Sequence, residues 1–446
     1  MDYRLGSRIP RDSSRKLFAR GQMLLPGGVS SPGRAFSEVD GGPLFINGGE
    51  GKYLIDEDGN RFVDFVCGLG PAILGHGHPE IQAAVNTQFA KGTVYGAPTR
   101  SEYALAERIL QTIRGLDSVR FTCSGTEATM TALRIARAYT GRNGVIKIRG
   151  GYHGHSDALL SGASKPHMRA ESASASTVRN GVDQVNAFST FLAEFNDLAS
   201  VQDAIAQADG SAAAIILEPV PSNMGVIPPM PGFLQGVREL ATRSGIVLIF
   251  DEVVSAFRHR FGPVADSLEV MPDLITFGKI IGGGLPVGAF GGRKELMSLL
   301  VSKGSVFQGG TFAGSPLTMA AGLAQLEVLE RDDVHVRICA LADRLACLLR
   351  DGFHASGLKF GAQHFGSLVT PVLCDRPDGM KGYNDVSLQD KTVFRKIFAD
   401  LLEAGFAIPP TIEEPFFISA CHTESDVDSL ACTFVESAVR HVLIEN

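Results

Sequence analysis

The sequence predicts an α/β protein: a large domain with a mainly parallel sheet between helices, plus a smaller α+β domain. Two observations carry that prediction. Between about residues 100 and 330, helical periodicity alternates with short β-rich runs, the rhythm of strand–helix–strand units. Those runs are apolar throughout, as strands are when both faces of their sheet are covered. Beyond residue 333 the rhythm is lost, and long helices with isolated strands take over.

Taken in order, GKYLIDEDGNRFVDFV (51–66) reads as a hairpin, two alternating runs about a turn at Glu57–Asn60. SEYALAERILQTI (101–113) is helical, SVRFTC (118–123) is a strand, and EATMTALRIARAY (127–139) is helical again. Strands follow at VIKI (145–148), AAIILEPV (213–220), IVLIFDEV (246–253) and DLITFG (273–278). The tail reads as a helix over 335–354, a strand SLVTPVL (367–373), a helix over 389–404, a strand PFFISA (415–420) and a last helix. RPDGMKGYND (376–385) is the clearest internal loop. The expected division is 1–75 as an N-terminal segment joining the small domain, 76–332 as the large domain and 333–446 as the small one.

With 446 residues, 44% of them hydrophobic, the chain can bury a sizeable core. A net charge of −7 without any basic run argues against nucleic acid or an anionic membrane as partner. MDYRLGSRIPRDSS at the start has no apolar core segment, so no secretory signal is expected. No uncharged apolar stretch reaches membrane-spanning length. Seven cysteines (Cys67, Cys123, Cys339, Cys347, Cys374, Cys421, Cys432) are odd in number, scattered and without a CxxC pair. That usage suits a reducing cytoplasm and speaks against structural zinc or a disulfide framework.

In an open α/β sheet, ligands collect at the carboxyl ends of the strands, and three signals fall there. CSGTEA (123–128) follows a strand and opens a helix. Gly125 permits a tight turn, and the hydroxyls of Ser124 and Thr126 with the helix amides can hold a phosphate; taken alone, the same residues make an ordinary N-cap. IVLIFDEV ends on two carboxylates, Asp251 and Glu252. Asp251 could hold a pyridine nitrogen protonated, or be a salt-bridged structural residue. DLITFG ends on Lys279, before a glycine cluster. An amine in an apolar setting loses basicity and can condense with an aldehyde, whereas a surface lysine would snorkel to water. GGGLPVG lacks the GxGxxG spacing, so a dinucleotide site is poorly supported. A phosphate cup, a strand-end aspartate and a strand-end lysine together fit one molecule, pyridoxal 5′-phosphate.

These residues lie in a longer series of ordered motifs. They include PGGVSSPGRAF (26–36), ILGHGHP (73–79), SGTEATMTALRIARAYTGR (124–142), GGYHGHSD (150–157) and EPVPSNMG (218–225). DEVVSAFR (251–258), GKIIGGGLPVGAFGGR (278–293), QGGTFAGSPLTMAAG (308–322) and EEPFFISACHT (413–423) complete the series. With them the chain resembles the class-III aminotransferases of fold type I, and within those the glutamate-1-semialdehyde 2,1-aminomutases. The resemblance implies that Lys279 carries the cofactor and shuttles a proton, and that Asp251 holds the ring nitrogen. Val253 and Tyr152 would pack on the two ring faces, with His153 beside Tyr152. Ser124, Gly125 and Thr126 would take the phosphate, joined by Thr311 from a neighbouring subunit of a homodimer to whose interface residues 1–75 contribute. Asn223 would bond the ring hydroxyl, with Glu218 close by; a loop-turn asparagine and a structural glutamate are the plain alternatives. Arg34 matches the position that binds the substrate carboxylate, and Glu414 stands where many class-III members place a switching arginine.

Two departures bear on the substrate. The aminomutase pattern has tryptophan where Gly68-Leu69-Gly70-Pro71 stands, and this chain has no Trp. SGASKPHMRAESASAS (161–176) does not align with the family's gating loop. The expectation is therefore an aminotransferase acting on a small carboxylate-bearing or specialised-metabolite carbonyl compound. The alternative is an authentic 2,1-aminomutase making 5-aminolevulinate for tetrapyrrole synthesis; a catalytically silent scaffold is disfavoured by Lys279, Asp251 and Tyr152.

Overall fold

The structure is a computed structural model that describes residues 9–160, 182, 189–300 and 304–444. The atypical loop at 161–185 thus lies outside the described residues, Val182 apart. The chain divides into two compact units: Met1–His78 with Val334–Met380 and Asn384–Asn446, and Pro79–Asp333 with Lys381–Tyr383. Among the described residues no helix is long and apolar enough to cross a membrane.

In the smaller unit the helix Asp12–Leu24 precedes a meander of β1 (Ile46–Glu50), β2 (Tyr53–Asp56) and β3 (Arg61–Asp64), paired antiparallel in sequence. The predicted hairpin is β2–β3, with Tyr53 opposite Val63. Its turn closes because the Asp56 carboxylate accepts the Asp58 and Asn60 N–H groups at 3.0 and 2.8 Å, a side chain standing in for backbone acceptors.

Among the described residues of the larger unit seven strands follow: β4 (Ser118–Thr122), β5 (Gly144–Ile148), β6 (Thr190–Ala193), β7 (Ala212–Leu217), β8 (Val247–Asp251), β9 (Leu274–Gly278) and β10 (Gly288–Gly292). Their spatial order is β4-β10-β9-β8-β7-β5-β6. All neighbours run parallel except β10, which is antiparallel to both β4 and β9. Strands β5, β7, β8, β9 and β10 are buried along their full length, as unbroken apolar runs require. The helix Gly125–Thr140 buries Ala128, Ala132, Leu133, Ile135 and Ala136 into the core beneath the sheet. Small residues there bring its N-terminus close to the strand ends.

In the larger unit two strand ends differ from the sequence reading, and two strands, β6 and β10, are absent from it. β7 stops at Leu217, because Pro219 offers no N–H to the ladder and Glu218 draws the Ser222 N–H to itself at 3.1 Å. β8 stops at Asp251, whose own carboxylate takes the Val253 N–H at 3.2 Å. Strand β10, GAFGG, went unread because glycine is a poor strand former. Its glycines are there for clearance: a Cβ on Gly291 would sit 2.6 Å from the Ser118 carbonyl oxygen, and one on Gly292 2.6 Å from that of Asp273.

The smaller unit is completed by β11 (Gly361–Phe365), β12 (Leu368–Val372), β13 (Phe406–Ala407) and β14 (Phe416–Phe417). β13 extends the first meander parallel to β3, and β14 pairs with β12. The predicted strand over 415–420 shrinks to two residues because the Ser419 N–H donates to His422 Nδ1 at 2.9 Å, turning the chain back. The last helix, Glu424–Val439, starts in a reciprocal capping box between Thr423 and Asp426. Asp426 also receives Lys52 Nζ at 2.6 Å, tying the meander to that helix. The His422 ring lies against Phe65 at 4.3 Å, and burial pushes its pKa down to about 4.

Candidate active site

In the larger unit the carboxyl ends of β4, β8 and β9 open on one edge of the sheet, where β10 begins. Register sets the approach: Gly288 lies between Thr122 of β4 and Gly278 of β9. A Cβ on Gly288 would stand 2.1 Å from the Ser124 carbonyl oxygen, and one on Gly278 would meet Val253 at 3.0 Å. Glycine at these points lets the 124–126 turn, Val253 and Lys279 share a small space.

Ser124 is the N-cap of the helix Gly125–Thr140, its hydroxyl accepting the Glu127 N–H at 3.2 Å. The ordinary capping role read from the sequence is therefore present. The Gly125 and Thr126 amides remain at a helix N-terminus, where an anion is favoured. Thr126 Oγ1 pairs with His155 Nδ1 at 3.1 Å, and a Cβ on Gly154 would come 2.6 Å from that hydroxyl. The Thr129 hydroxyl donates to the His153 carbonyl at 2.8 Å, binding the 152–155 loop to the same helix end.

Asp251 and Glu252, adjacent in sequence, part company in space. Asp251 is 4% exposed; Oδ2 lies 2.8 Å from His153 Nδ1, and Oδ1 accepts the Thr276 hydroxyl at 2.9 Å. Burial lowers the His153 pKa, so its ring is neutral and Nδ1–H donates to the carboxylate. Glu252 turns away to accept the Val264 and Ala265 N–H groups at 2.6 and 2.8 Å. It caps the short helix Val264–Ser267, and burial lifts its pKa to about 7. Asn223 donates Nδ2 to Glu218 at 3.2 Å, and Glu218 also takes the Ser222 N–H and hydroxyl. Burial first, then the Asp251 charge, raises Glu218 to about 7.

Lys279 directly follows β9, half-buried, with φ +48. A non-glycine residue held in the left-handed region costs of order 1 kcal/mol or more, and such strain gathers at functional positions. Tyr152 and Val253 are also half-buried, and Thr311 is exposed. Arg34, Leu69 and Glu414 all belong to the smaller unit: the first two exposed, Glu414 buried at 7%. Cys67, Gly68, Leu69 and Gly70 form a run of four positive φ angles where the family pattern carries tryptophan. Thr276 was missed by the sequence reading. The available signal was a lone hydroxyl inside LITFG, which the β8–β9 register puts opposite Asp251.

The class-III aminotransferase family profile matches residues 36–356. "Glutamate-1-semialdehyde 2,1-aminomutase 2" of Brevibacillus brevis is 42% identical over 421 residues, covering 94% of this chain and 96% of its own. The glutamate-1-semialdehyde 2,1-aminomutase of Syntrophomonas wolfei is also 42% identical, over 440 residues, 97% of this chain and 99% of its own. Among solved structures, an omega-transaminase from Sphaerobacter thermophilus superposes with a TM-score of 0.87 at 32% identity, over 96% of this chain and 98% of its own. The family match and the solved relatives thus define a fold type I enzyme dependent on pyridoxal 5′-phosphate. The chain belongs to the class-III aminotransferase family.

Proposed function

We propose that this chain is a glutamate-1-semialdehyde 2,1-aminomutase, which exchanges the amino and oxo groups of one substrate to give 5-aminolevulinate. The observation that carries the reading is 42% identity to aminomutases along 94–97% of the chain. Arg34 and Glu414 support it, as a guanidinium for the substrate carboxylate and a carboxylate suited to a substrate bearing a second amine.

The residues of the larger unit fit the cofactor. Glycines 125, 278 and 288 leave room that a Cβ would fill; N–H and hydroxyl donors suit a phosphate at one end, and the Asp251 carboxylate suits a protonated ring nitrogen at the other. When bound, pyridoxal phosphate supplies an electron sink for the pair left behind as a substrate C–H bond breaks. Ser124, Gly125 and Thr126 hold its phosphate. Asp251 accepts the ring N–H and keeps the ring cationic, Val253 and Tyr152 cover the ring faces, and Asn223 donates to the ring oxygen. Glu218 fixes the Asn223 amide so that its second N–H can point to the ring. Lys279 Nζ would hold the group through its aldehyde carbon and, when freed, would be the amine placed to take and return the proton of the substrate carbon.

We place the enzyme in a reducing cytoplasm as a homodimer, a reading supported by seven free cysteines and by exposed Phe307 and Phe312 beside Thr311. A second reading, amino transfer between two separate substrates, is favoured by Leu69 in place of tryptophan. One experiment separates them. The enzyme is given glutamate-1-semialdehyde alone, then amine donors with keto acids. Donor-independent 5-aminolevulinate supports the aminomutase; an untouched semialdehyde with donor-dependent exchange overturns it.

A further inference from the structure

A carboxylate offers about four acceptor positions, two on each oxygen. On Asp251, Oδ1 takes the Thr276 hydroxyl at 2.9 Å and the Val253 N–H at 3.2 Å. Oδ2 takes His153 Nδ1–H at 2.8 Å. All the water-excluding neighbours are in place: Thr276 is 0%, His153 1% and Asp251 4% exposed. Oδ1 is therefore saturated, and the remaining acceptor position is on Oδ2.

We propose that Thr276 is a positioning residue for the ring-nitrogen site: its hydroxyl saturates Oδ1 of Asp251 and so commits Oδ2 to the cofactor's ring N–H. The inference rests on Asp251 being the ring-nitrogen partner. Cross-strand register fixes the pairing, since Asp251 faces Thr276 in the β8–β9 ladder, and the Thr276 carbonyl separately accepts the Glu252 N–H at 3.0 Å. The hydroxyl can only donate to a carboxylate, so it also fixes the rotation of the Asp251 carboxylate in a dry site. Without it, Oδ1 gains a vacant acceptor position. The carboxylate can then rotate, and its grip on the ring weakens.

The test compares Thr276→Val, which keeps shape and removes the hydroxyl, with Thr276→Ser, which keeps the hydroxyl. Three quantities are read: affinity of the apoenzyme for pyridoxal phosphate, the pH titration of the holoenzyme's visible absorbance, and melting of the apoenzyme. Thr276→Val should bind the cofactor about tenfold more weakly and shift the absorbance titration, the loss expected for a hydrogen bond to a charged group. Thr276→Ser should restore both, with apoenzyme melting alike in the two variants. Wild-type affinity and an unmoved titration in Thr276→Val overturn the proposal. Should that variant not fold, Thr276→Ala against Thr276→Ser reads the same difference, and equal affinities overturn it. Asp251→Asn serves as the control: if it leaves the cofactor spectrum untouched, the ring-nitrogen reading itself fails. If it alters the spectrum while Thr276→Val does not, only the role of Thr276 fails.

Discussion

Asp251, Glu252 and Glu218 are three buried carboxylates whose surroundings give them different work. Asp251 is met by a neutral imidazole N–H and a hydroxyl; Glu252 by two backbone amides and Ser255; Glu218 by Ser222 and Asn223. Burial raises both glutamates from 4.5 to about 7. Between those values the unfolded chain releases a proton that the folded one keeps. Stability therefore falls as pH rises from about 4.5 to 7, by at most about 1.4 kcal/mol per unit for each group. Glu252→Gln, at a side chain that turns away from Asp251 to cap the helix Val264–Ser267, should flatten part of that fall; melting temperatures across pH 5–8 with the wild-type slope would contradict it. At this scale Lys279 and Asp251 stand out in the sequence as candidates because a charge ending an apolar run is costly. Thr276 was not, since a hydroxyl in a strand is cheap and carries meaning only through its cross-strand partner.

The elements of the site meet only because glycine occupies their crossing points. Gly288→Ala would press a methyl group against the Ser124 carbonyl at 2.1 Å, whereas Gly284, with φ +91, has open space around it. Gly288→Ala should therefore cost about 3 kcal/mol or more and weaken cofactor binding at least tenfold. Gly284→Ala should cost only the backbone strain, about 1–2 kcal/mol, with little change in cofactor affinity. Calorimetry with cofactor titration checks the contrast, and equal losses in the two variants would refute it. The fully buried strands were readable from their apolar runs, and the helix Gly125–Thr140 from its periodicity. β10 was hidden because its residues are chosen for clearance, and β14 was overlong on paper because the Ser419–His422 bond is invisible in a residue pattern.

For the whole molecule, the sequence conveyed an α/β sheet and an α+β remainder, but not how residues far apart combine in the smaller unit. There the meander is completed by Phe406–Ala407, and Lys52 reaches Asp426 across most of the chain. Such pairings depend on tertiary closure, which local pattern does not encode. His422, buried against Phe65, makes this unit acid-sensitive. Its pKa falls from 6.5 unfolded to about 4 folded, so stability is lost as pH drops through that window, by up to about 3 kcal/mol. His422→Asn should give a shallower acid limb in denaturant melts at pH 4–7, and parallel limbs would count against the assignment.

Everything proposed for the site depends on Lys279 being the residue that carries the cofactor. Borohydride reduction of the enzyme loaded with pyridoxal phosphate, followed by peptide mass mapping, addresses it directly. A single stable pyridoxyl adduct is expected on the peptide containing Lys279, absent from Lys279→Ala. An adduct on a different lysine, or none in enzyme that turns over substrate, would contradict it.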